Sequence, residues 1–181
     1  MVIKKAAETD LSEVKLLADS LLVDSPSSDQ DAGFYCYSLS LDQYKRRLES
    51  PLFLVSSQPS VLGGFCLAYD RAFTNRLRGK ETTLSDDPVF NFLSDLSGDF
   101  VYIDQLAVKG RDKLVGMRTV HGLVRALRSS VDGRVVIGAI SHGPWKNERA
   151  IRFSAARGGR VIGEVTTLSG ITLGMHAFYS S

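Results

Sequence analysis

Between Asp99 and Leu127 the chain reads DFVYIDQLAVKGRDKLVGMRTVHGLVRAL, strand-forming residues that pass through a short basic loop into an amphipathic helix. No other segment constrains the fold as strongly, because a helix that opens directly after a strand presents unpaired backbone N–H groups at its first turn. Such a terminus holds a phosphate or pyrophosphate without a dedicated side chain, so a phosphate-bearing ligand is the first expectation. Phe100, Val101, Tyr102, Ile103, Leu106 and Val108 carry the strand, interrupted by Asp104 and Gln105, two polar residues whose presence there needs a reason. Val120, Leu123, Val124 and Leu127 recur at helical spacing, with Arg118, His121, Arg125 and Arg128 on the opposite, basic face. Gly110 and Gly116 alone fit a plain strand-to-helix connection equally well.

A second segment adds to this. Residues 134–165, RVVIGAISHGPWKNERAIRFSAARGGRVIGEV, read as strand, loop, a helix opened by an asparagine, a Gly-Gly stop and another strand. Together the two segments resemble the GCN5-related N-acetyltransferase superfamily. Its first motif, a strand ending in valine and then [Gln/Arg]-x-x-Gly-x-[Gly/Ala] opening a helix, is similar to Val108 followed by Arg111, Asp112, Lys113, Leu114, Val115 and Gly116. Its second, Asn-x-x-Ala-x-x-[Phe/Leu]-Tyr with a later Gly-Phe, is similar to Asn147, Ala150, Phe153 and Ser154, then Gly158 and Gly159.

The resemblance implies an α/β (α+β) fold, the acyl-CoA N-acyltransferase fold, with a mixed, mostly antiparallel central sheet of about seven strands flanked by helices. It implies acetyl-CoA as cosubstrate, no metal, and an amine acceptor, unidentified, that attacks the thioester directly. Backbone N–H groups near Leu106 and Ala107 are expected to face the oxyanion, and Val108 to bond the pantetheine amides as an added strand would. The turn from Arg111 to Gly116, continued by Met117 and Arg118, is expected to hold the phosphates, with Asn147 near the pantetheine arm. An alkylammonium, with a reference pKa of ~10.4, must lose a proton before it attacks. Asp104 is the candidate base, and a structural hydrogen bond is its equal alternative. Ser154 stands where many members place a tyrosine beside the departing sulfur, Gly159 replaces the phenylalanine, and Leu114 replaces the first glycine. These departures keep open a catalytically degenerate acyl-CoA-binding domain. A homodimer is expected from the resemblance alone.

Charge agrees with a phosphate-rich ligand: residues 1–100 carry a net −5 and residues 101–181, which hold both motifs, a net +7. Nucleic acid is not expected, because the arginines are scattered over several elements and no zinc-finger or RRM pattern occurs. With 181 residues, 44% of them hydrophobic, one domain is expected. The opening MVIKKAAETD lacks an apolar run of signal-peptide type, and no 18-residue apolar run exists for a membrane span; a cytoplasmic location is expected. Cys36 and Cys66 have no metal spacing, and Cys66 inside GGFCLAY reads as a small hydrophobe. His142 and Trp145, in the loop before the second helix, are further candidate contacts, while His121 belongs to the solvated helix face.

The remaining elements read as a strand at Val2–Ala6, helices at Leu11–Leu22 and Leu41–Leu48, a hairpin of Leu52–Ser57 with Val61–Phe73, and a polar excursion from Thr74 to Gly98 with one short helix near Pro88–Leu96. Ile171–Tyr179 is expected to close the sheet beside Val161–Val165. Residues 25–33, SPSSDQDAG, read as a mobile lid near an acceptor.

Overall fold

A computed structural model describes residues 1–23, 35–58, 61–109 and 113–179. Seven strands make one sheet: β1 (Val2–Lys5), β2 (Phe53–Gln58), β3 (Val61–Asp70), β4 (Phe100–Val108), β5 (Val135–Gly143), β6 (Arg160–Thr166) and β7 (Thr172–Phe178), in the order β1-β2-β3-β4-β5-β7-β6. The pairs β1/β2, β2/β3, β5/β7 and β6/β7 are antiparallel. Among the described residues six α-helices accompany them: α1 (Leu11–Asp19), α2 (Leu41–Arg47), α3 (Arg71–Lys80), α4 (Pro88–Asp95), α5 (Lys113–Ser129) and α6 (Glu148–Ala155). The expected fold class is therefore present. The expected lid, residues 25–33, lies outside the described residues.

The chain divides into two compact units, the first made of Met1–Leu22, Tyr35–Tyr69 and Ile103–Asp132. Its core is built on the β2/β3 hairpin, where Phe53 and Phe65 meet Tyr44 of α2 with ring centroids 6.3 Å apart in each pair. Ser40 caps α2, accepting from the Gln43 N–H at 3.2 Å while the Gln43 side chain accepts from the Ser40 N–H at 2.8 Å, a reciprocal box that fixes where the helix starts. Helix α5 buries Leu123 and Leu127, each contributing on the order of 1.5–3 kcal/mol. It approaches β1 closely at Gly122, where a Cβ would lie 2.9 Å from the Ile3 Cδ1. Gly64 serves the same purpose between β3 and β4, since a Cβ there would lie 2.5 Å from the Ala107 carbonyl oxygen.

The second unit contains Asp70–Tyr102 and Gly133–Ser181. Here the sequence expectation needs correction: β3 ends at Asp70 rather than Phe73, and α3 occupies part of the expected polar excursion. The cause is a helix cap. The Asp70 carboxylate accepts the Phe73 N–H at 2.7 Å, which starts the helix and turns Phe73, Thr74 and Leu77 onto one buried face. Asp87 caps α4 in the same way, accepting from Val89 and Phe90 with Pro88 at the first helical position. Phe90 then meets Tyr102 edge-on at 6.4 Å, and the Arg71 guanidinium lies 4.9 Å from the Phe100 ring centroid. Asn147 caps α6, and Gly158, at φ 73°, follows it. Helix α1 ends at Asp19, three residues earlier than expected, in a turn over Ser20 and Leu21.

Candidate active site

Within the first unit Asp104 is accounted for at both oxygens and Gln105 at its side-chain oxygen, its buried Nε2 having no hydrogen-bond partner among the described residues. Asp104 has a side chain only 7% exposed, and both of its oxygens are taken. Oδ1 accepts from the Tyr37 hydroxyl, and Oδ2 accepts from the Tyr69 hydroxyl at 2.5 Å. The Arg47 Nε donates to the Tyr69 hydroxyl at 2.9 Å and lies 4.0 Å from Oδ2, so a buried guanidinium, 2% exposed, balances the carboxylate. Arg47 also donates from Nη1 to the Gln43 carbonyl at 3.0 Å, which ties the cluster to α2. The next residue, Gln105, accepts from the Tyr44 hydroxyl at 2.6 Å.

Burial and the Asp104 charge hold the Tyr69 phenol well above its ordinary range, and burial does the same for Tyr44, so both remain neutral donors. Tyr35, behind the cluster, is also pushed up, first by burial and then by the charges of its neighbours. Burial pushes the Cys66 thiol up to about 12, which leaves it an inert hydrophobe, as expected from its strand. Tyr37 is the member that meets solvent, at 42% exposed. It follows Tyr35, whose N–H donates to the Leu21 carbonyl at 2.8 Å and which bridges to Leu22.

Of the residues expected to hold a cofactor, Leu106, Ala107 and Val108 are on β4, with Ala107 buried. Arg111 and Asp112 lie outside the described residues, and Lys113 and Leu114 are the first two residues of α5. Val115, Met117 and Arg118 are exposed on its first turns, while Gly116 is buried. A Cβ at Gly116 would lie 3.6 Å from the Val108 Cγ2, so a side chain there turns toward β4.

In the second unit, Asn147 is 8% exposed and accepts the Ala150 N–H at 3.1 Å, the helix-cap role its position suggests. Ser154 is fully buried on α6, its hydroxyl 2.8 Å from the His176 Nδ1. His142 is half-buried on β5, and His121 is exposed on α5. Asp104 and Ser154 thus belong to different units, each in a hydrogen-bonded cluster of its own. Sequence reasoning missed Tyr37, Arg47, Tyr69 and His176. Among the described residues, no group of three or more His, Cys, Asp or Glu is arranged to hold a metal ion, and no helix is long and apolar enough to cross a membrane.

No family model matches the sequence, and no curated protein matches it. Solved structures do. Ard1 from Thermoplasma volcanium is similar over 99% of this chain and 97% of its own, with a TM-score of 0.66 at 13% identity. NAA60 from Arabidopsis thaliana, solved in complex with acetyl-CoA, is similar over 99% of both chains, with a TM-score of 0.65 at 12% identity. An agmatine N-acetyltransferase is similar over 99% of both chains, with a TM-score of 0.63 at 10% identity. This chain has the fold of the GCN5-related N-acetyltransferases.

Proposed function

We propose that this chain is an acetyl-CoA-dependent N-acetyltransferase that acylates the amine of a small molecule or peptide. The observation that carries the reading is the β4 carboxylate, Asp104, which is buried against Arg47 and Tyr69 and bonded to Tyr37, a residue 42% exposed. In this reading the acceptor ammonium gives a proton to the Tyr37 oxygen as the Tyr37 proton passes to Asp104 Oδ1. The amine nitrogen then attacks the thioester carbon. A phenol is a poor base alone; its contact with the carboxylate lets it act without a free phenolate. Backbone N–H groups of β4 near Leu106 and Ala107 face the oxyanion, and the first turn of α5 with Arg111 and Lys113 holds the phosphates. The fold shared with NAA60, a protein that binds acetyl-CoA, supports the choice of cosubstrate.

A second reading, a degenerate acyl-CoA-binding domain, draws on Ser154, whose hydroxyl is buried and bonded to His176. Two measurements separate them. Calorimetry with CoA should show binding that weakens at least tenfold, ~1.4 kcal/mol, in Gly116→Val, because the added methyls press on Val108 and shift the α5 terminus. Thiol release from acetyl-CoA with a panel of amines then distinguishes enzyme from binder. Binding without release for every amine supports the degenerate domain, and absence of binding removes both readings.

A further inference from the structure

The second unit carries a chain of four polar side chains drawn from four elements. The Ser154 Oγ is 2.8 Å from the His176 Nδ1, the His176 Nε2 is 2.9 Å from the His142 Nε2, and the His142 Nδ1 is 3.0 Å from the Glu164 Oε1. It runs from a fully buried hydroxyl on α6, through a 4% exposed imidazole on β7 and a half-buried one on β5, to a carboxylate 57% exposed on β6. The backbone makes room for it. Ser141 pairs with Leu173 and Gly143 with Thr172, so His142 is the extra residue of a bulge, the device that re-aims a side chain. A Cβ at Gly174 would lie 2.2 Å from the His142 Cε1, and a Cβ at Gly159 2.2 Å from the Ser154 Oγ.

With Glu164 as acceptor and one proton on each ring, only one set of proton positions makes all three bonds. A carboxylate only accepts, so the proton of His142 is on Nδ1. Its Nε2 then accepts from the His176 Nε2–H, and the His176 Nδ1 accepts from the Ser154 hydroxyl. The chain points outward. The groups facing the imidazoles are Glu164 from β6, Ser154 from α6, and each other from β5 and β7. Burial, with the neighbouring His142, keeps His176 below its ordinary pKa and therefore neutral at pH 7.

We propose that Ser154, His176, His142 and Glu164 form a proton relay that takes a proton at the buried hydroxyl and releases it to solvent at the carboxylate. In the outward stroke the Ser154 oxygen gains a proton as its own passes to the His176 Nδ1. The His176 Nε2 proton passes to the His142 Nε2, and the His142 Nδ1 proton passes to Glu164 and then to water. The chain is left pointing inward. A proton entering at the His142 Nδ1 drives the reverse stroke and delivers the Ser154 proton inward, which resets the chain. The path rests on the geometry. The reaction it serves rests on the acetyltransferase reading, in which an ammonium sheds protons and a thiolate gains one.

The chain itself is tested by nitrogen-15 NMR of the imidazoles at pH 7.5. The expected result is a proton on Nδ1 of His142 and on Nε2 of His176, with the His142 preference for Nδ1 weakened in Glu164→Ala, which removes the acceptor. An Nδ1 proton on wild-type His176, or an Nε2 proton on wild-type His142, overturns the relay. For the reaction, His142→Gln should slow thiol release at least tenfold, and imidazole should partly restore His142→Ala. Unchanged release, or no rescue, overturns the assignment to acetyl transfer. If the wild type releases no thiol with any amine, the acetyltransferase reading falls and takes that assignment with it, while the tautomers still decide the relay.

Discussion

Replacing Asp104 by asparagine tests whether the β4 carboxylate is part of the core as well as of the chemistry. The substitution keeps the shape and removes one negative charge. It removes the carboxylate charge 4.0 Å from the Arg47 guanidinium, which is 2% exposed, and it places an amide before two phenols that both donate to the carboxylate. Removing one partner of a buried ion pair costs about 3–5 kcal/mol. For a chain of 181 residues, each kcal/mol lowers the melting temperature by about 2–4 °C, so the expected drop is roughly 6–20 °C. Calorimetric melting of the single variants and of Asp104→Asn with Arg47→Met completes a cycle. Once Arg47 is gone, Asp104→Asn should cost at least ~1 kcal/mol less. Thiol release should fall by roughly 10²- to 10⁴-fold in Asp104→Asn at a temperature where the variant is still folded. A melting shift under about 3 °C would refute the buried pairing, and full specific activity in the folded variant would refute the role as base.

Two further outcomes follow from the second unit. Gly159→Ala sets a methyl 2.2 Å from the Ser154 Oγ and 2.8 Å from the Phe178 Cε1 and should cost roughly 1–3 kcal/mol in a thermal melt, recovered in part when Ser154→Ala is added; an equal cost in both backgrounds would show that the hydroxyl is not an obstacle. Because His176 has a lowered pKa in the folded protein, the unfolded chain binds more protons below ~6.5; stability is fully present above that pH and declines as the pH falls toward the native value. The difference in melting temperature between pH 7.5 and 5.5 should therefore shrink in His176→Gln, and an unchanged difference would exclude this histidine as its source.

Much of the fold was legible because its signals are local. The cap at Asn147, the periodicity of Leu123 and Leu127, and the glycines at 158 and 159 are each read within a few residues. The signal for α3 was equally local and went unread: Asp70 followed by Phe73 and Leu77 is a cap and a buried stripe, but the apolar run before it invited a longer strand. The cluster around Asp104 was half legible. Two polar residues in an apolar strand announce that partners exist, yet Tyr37, Arg47 and Tyr69 are separated from Asp104 by 67, 57 and 35 positions and have no spacing relation to it. His176 was missed for the same reason. Its partners lie 34 and 22 residues away, and only the antiparallel pairing of β5 with β7 brings the two histidines together.

The bare position at Gly174 ties two sites to a common history. Any side chain there would enter the ring of His142, whose three nearest atoms stand 2.2–2.7 Å from where its Cβ would be. A lineage that keeps the imidazole of 142 in this position is thereby held to glycine at 174, and one that acquires a side chain at 174 must move or shrink the ring at 142. The two positions are therefore coupled: a side chain at 174 and an imidazole bonded to His176 and Glu164 exclude each other. Directed evolution of this chain should meet the same coupling, with changes at 174 costing the His142 contacts unless position 142 is already small.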